Sequence, residues 1–144
     1  MESNVNRLNS LQWVLRLTYG LVPVVAGLDK FFNVLTTWEQ YVSPTVARFL
    51  LFSTSTFMHI VGVIEIAAGV IVLSRFTAFG AYVVSAWLTL IALSLISSGH
   101  YFDVAVRDAV MAVGAYTLGV LSALLEESGS RTSSRVDVHL PASA

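Results

Sequence analysis

Three long runs without a charge dominate the chain: residues 49–64, 76–102 and 109–125, the first of which begins just after Arg48. A fourth, residues 17–28, is bounded by Arg16 on one side and by Asp29 and Lys30 on the other. Runs of this length and apolarity cross a membrane as helices. Only helices and closed barrels satisfy every backbone polar group in hydrocarbon. Glu65 then falls inside the second span. A charge there is expensive, so it is expected to face protein and to have a partner.

Composition agrees. Of 144 residues, 56% are hydrophobic and 12% charged, about half the charge fraction of a soluble domain. The length fits one domain. The net charge of −1 and the absence of a basic block leave nucleic-acid binding without an electrostatic basis. With no cysteine, thiolate metal sites and dithiol redox chemistry are excluded.

The expected fold class is all-α, a four-helix transmembrane bundle. Residues 1–10 read as a mobile arm, 11–125 as the membrane domain and 126–144 as a disordered tail rich in Ser, Thr and Arg. Within the domain, the spans are expected at residues 11–35, 57–74, 78–96 and 104–125. Arg7 and Arg16 before an apolar stretch imitate a signal peptide, but the run continues past its cleavage-like Val24, Val25 and Ala26, and three more spans follow. Residues 45–55 fit either an extension of the second span or a short interfacial helix. Four spans bring both termini to one side. That side collects Arg7, Arg16, Arg75, Arg131 and Arg135, against Lys30, Arg48 and Arg107. Positive charge stays inside, so both termini are expected to be cytoplasmic, in a bacterial-type plasma (inner) membrane.

Depth follows from the helix rise of about 1.5 Å per residue. With Arg16 and Arg75 at the inner boundary, Asp29 and Lys30 lie roughly 20 Å in, Glu65 roughly 15 Å and His59 about 24 Å. Asp108 comes out roughly 27 Å from Glu126. A polar cluster of Asp29, Lys30, His59, Glu65, Arg107 and Asp108 is therefore expected in the outer half. Lys30 with Glu65, and Asp29 with Arg107, are the plausible pairs. The cluster fits a structural network that ties helices together. It also fits a site for a ligand or a proton, or charges that snorkel unpaired.

Arg16, Gly20, Pro23, Gly27 and Lys30 recur at spacings of four and three and share one helix face. Gly62, Glu65 and Gly69 do the same on the second span. Small residues so placed let membrane helices approach closely, which makes Gly20, Gly27, Gly62 and Gly69 packing residues. Pro23 is expected to kink the first span. His59 and His100 lack the spacing of a metal or haem site, and none is expected. No phosphate loop, nucleophile elbow or zinc motif occurs, so no catalytic residue is assigned.

Three stretches carry a resemblance. Arg16 and Gly20 followed by Gly27, Lys30 and Phe31 fit R-x-x-x-G…G-x-x-K-[LF]. Gly62, Glu65, Ile66 and Gly69 fit G-x-x-E-[IL]-x-x-G, and Arg107 with Asp108 fits an R-D opening of the last helix. In this order, over residues 15–125, the chain resembles the DoxX-like (DoxX/DoxD) small integral membrane proteins. The resemblance implies a four-helix membrane fold. Some such proteins are small subunits of thiosulfate:quinone or terminal quinol oxidases, and others assemble with soluble stress or thiol-handling proteins. The expected function is a non-catalytic subunit or scaffold of a membrane complex, in the redox case one linked to quinone. Its partners would be the lipid bilayer and other membrane subunits or further copies of the chain. The alternatives are a binder of a small hydrophobic ligand such as a quinone at the polar cluster, and a small proton-coupled carrier.

Overall fold

A computed structural model describes residues 2–42 and 44–138. Its helices are α1 (Glu2–Asp29), α2 (Pro44–Phe49), α3 (Thr54–Leu73), α4 (Thr77–Ser98) and α5 (Phe102–Val138), with a 3-10 turn at Trp38–Tyr41. No strand occurs among the described residues. Four helices, all but α2, are long and apolar enough to cross a membrane.

The long helices are joined in an up-down-up-down ring. α1 packs mainly on α3 and α4 mainly on α5, while α3–α4 and α1–α5 contacts close the ring. The interior is built from small side chains: Ala68, Ala81, Ala92, Ala105, Ala112 and Ala115 are buried. The outside carries large ones, among them Leu21, Val25, Val63, Phe79, Leu90, Val110 and Val113. This inverts the soluble pattern and suits a solvent as apolar as leucine. The chain is a multi-pass membrane protein.

Tyr19, Val72, Val84 and Leu118 fill the core together with the alanines. Polar bonds also cross between helices. Gln12 Nε2 donates to Ser122 Oγ at 3.1 Å, and Ser85 Oγ donates to the Ala112 carbonyl at 2.8 Å.

Helix ends differ from the sequence expectation in several places. The residues read as a mobile arm form the first turns of α1, where Ser10 Oγ donates to the Asn6 carbonyl. A helix already nucleated in the span extends at little cost. The same reason applies at the other end, where α5 runs through Glu126 to Val138 in place of a disordered tail; residues 139–144 of that tail lie outside the described residues. The first span stops at Asp29 and not at Leu35. Of the two readings of residues 45–55, the short separate helix is the one observed: α2 ends at Phe49 and residues 50–53 separate it from α3. α3 starts at Thr54 because Ser53 Oγ accepts the Thr56 N–H at 3.2 Å, an N-cap. Pro23 lies inside a continuous α1.

Arg16 closes the end of the bundle where α3 stops. Its guanidinium donates to the carbonyls of Val72, Leu73 and Ser74 at 3.2, 2.5 and 2.7 Å. A cation at a helix C-terminus satisfies orphan carbonyls and complements the dipole.

Candidate functional site: a buried lysine between a carboxylate and an indole

Glycine positions the site. A Cβ on Gly27 would meet the Gly62 carbonyl oxygen at 2.5 Å, and one on Gly62 would meet the Gly27 carbonyl oxygen at 2.6 Å. Gly69 faces the Gly20 carbonyl oxygen in the same way at 2.5 Å, and a Cβ on Gly20 would strike Leu73. The α1 and α3 backbones therefore touch along the stripe read from the sequence.

That approach delivers Lys30 to Glu65. The Lys30 amine donates to Glu65 Oε2 at 2.6 Å, and the residues are 4% and 8% exposed. On its other side the amine lies 3.7 Å from the centroid of the Trp38 ring, a cation–π contact. The burial gives both contacts weight, since little water competes.

Asp29 holds Trp38 in place. Its Oδ2 accepts the Trp38 indole N–H at 2.7 Å. The two oxygens also accept the backbone N–H of Leu35 at 3.1 Å, and Oδ1 accepts that of Val34 at 3.0 Å. An aspartate that bonds nearby backbone N–H groups competes with the helix, which is why α1 ends there. Asn33 follows in the left-handed region at φ 51°, a conformation asparagine tolerates. The 3-10 turn then brings Trp38 back over Lys30. Beyond Trp38 an aromatic row continues: its ring centroid is 6.1 Å from that of Tyr41, which meets Tyr101 edge-on at 4.9 Å.

The remaining candidates scatter. Arg107 does not reach Asp29. Its Nε lies 3.5 Å from Asp108 Oδ1, and its side chain is 64% exposed. The expected Asp29–Arg107 pair is thus replaced by two local arrangements, because each group has a closer partner in its own segment. Asp108 is buried and lies near enough to feel the charges of both Lys30 and Glu65. His59 stacks on Phe31, with ring centroids 4.8 Å apart and planes 6° from parallel.

Two tryptophans gain roles that the sequence did not assign. Trp87 Nε1 is buried close to the Glu65 carboxylate but makes no hydrogen bond of good geometry. Away from this cluster, an open groove of about 400 Å³ between α4 and α5 is lined by Ser85, Thr89, Ala92, Leu93, Ala112 and Tyr116, among others. Comparison of the chain with protein-family models, with curated proteins and with solved structures returns no match.

Proposed function

We propose that the chain is a non-catalytic subunit or scaffold of a membrane complex. The observation that carries this is the closure of Lys30 on Glu65 at 2.6 Å beneath Trp38. A cation engaged from two sides ties α1 to α3. Asp29 is likewise occupied by the connector N–H groups. The alanine-lined groove between α4 and α5 is where another membrane helix could approach closely. The DoxX-like resemblance extends the proposal to a quinone-linked redox complex in a bacterial-type plasma membrane, with both termini cytoplasmic.

Purification from native membranes in mild detergent, with mass spectrometry of everything retained, tests this role. Stoichiometric recovery of another membrane protein supports it. Recovery of the chain alone, carrying a lipid-soluble cofactor, overturns it. Orientation is tested separately: Ser133→Cys in this cysteine-free chain should resist labelling from outside the cell.

A second role, binding a small hydrophobic ligand such as a quinone, is favoured by Trp87 Nε1. A buried donor without a well-aligned bond is costly, and a ligand carbonyl beside Glu65 would give it one. Trp87→Phe would then reduce the retained ligand while leaving the helical bundle intact.

A further inference from the structure

The glycine contacts also set the depth of the connector between α1 and α3. Gly27 opposes Gly62 and Gly20 opposes Gly69. Continued along these antiparallel helices, the register puts Asp29 level with Ile60, and the Phe31–His59 stack agrees. α3 begins at Thr54, so α1 ends about 9 Å short of the end of α3 at 1.5 Å per residue. The 20 residues of α3 span about 30 Å, the thickness of the hydrocarbon core. The chain after Asp29 therefore starts below the membrane surface, as irregular backbone.

Irregular backbone at that depth needs its N–H groups satisfied. The Asp29 carboxylate does this for Val34 and Leu35. The side chains of the same segment point outward: Phe32 is 72% exposed, Val34 80% and Leu35 67%. After the 3-10 turn the pattern returns, with Phe49 82% and Leu51 99% exposed. Water is a poor solvent for so many large apolar groups. They continue the lipid-facing surface of Val25 and Leu28 on α1 and of Ile60 and Val63 on α3. Exposed Arg48 precedes Phe49, a cation where lipid phosphates lie.

We propose that residues 31–42 and 44–52 are inserted in one leaflet of the bilayer, with Phe32, Val34, Leu35, Phe49 and Leu51 among the acyl chains of lipids. The connector is thus a membrane-embedded cap over the Lys30–Glu65 pair, and not an aqueous loop. It has this place whether or not the chain is a scaffold subunit.

Val34→Cys and Leu51→Cys, each labelled with bimane and reconstituted in vesicles of phosphatidylcholine and phosphatidylglycerol, test it. Both side chains point away from the protein, so neither change disturbs packing. A nitroxide high on the lipid acyl chain should quench both probes severalfold more than aqueous iodide does. Stronger quenching by iodide would place the connector in water and overturn the proposal. Protection from both quenchers would also overturn it, and would mean that protein, such as a second copy of the chain, covers these residues.

Discussion

The Lys30 amine lies 2.6 Å from Glu65 Oε2 and 3.7 Å from the centre of the Trp38 ring, so one buried cation is closed in from two sides. Removing one partner of a buried pair strands the other, at about 3–5 kcal/mol. Glu65→Gln should therefore lower the unfolding midpoint in detergent. Lys30→Met combined with Glu65→Gln should recover much of the loss. Additivity of the two single changes within about 0.5 kcal/mol would show that the groups do not act as a pair.

Gly62→Ala places a methyl group against the Gly27 carbonyl, 2.6 Å from its oxygen. Backbone cannot yield as a side chain does, so α1 must move away from α3. Overpacking of this kind costs about 1–3 kcal/mol. Gly129→Ala is the control, since its Cβ would meet nothing within 4 Å. Heating in detergent, followed by size-exclusion chromatography, should deplete the first variant and spare the second.

Asp29→Asn tests the connector. Both oxygens of Asp29 accept N–H donors, whereas asparagine has a single acceptor oxygen and turns an NH₂ group toward a donor. Either Trp38 or the Val34 amide loses its partner, while the Leu35 amide, bonded to both oxygens, keeps one; the expected loss is about 1–3 kcal/mol. Hydrogen exchange should rise in residues 30–38 while α4 and α5 keep their protection.

Arg16→Gln removes the guanidinium that serves the carbonyls of Val72, Leu73 and Ser74. The expected loss is about 1–3 kcal/mol, read as a lower midpoint in a denaturing-detergent titration. Arg16→Lys should restore part of it, because an ammonium donates to those carbonyls without the planar fork.

The four spans and the α1–α3 seam were legible in the sequence. Uncharged runs of this length have no other stable arrangement in lipid, and glycines spaced at four and three fall on one helix face whatever the helix packs on. Lys30 and Glu65 could be matched for the same reason, as opposite charges on two such faces at similar depth. Three-dimensional proximity decided the rest. Asp29 could not be assigned its partners, because the chain turns at Asp29 itself and presents its own N–H groups before α5 comes within reach. Trp38 covers Lys30 only because that turn folds back, and Arg16 caps α3 only because α1 and α3 run antiparallel in the register that the glycines permit. Periodicity reports which residues share a face. Which face, turn or helix end lies opposite depends on where the helices stop, and that is settled when the backbone polar groups at each end find their partners.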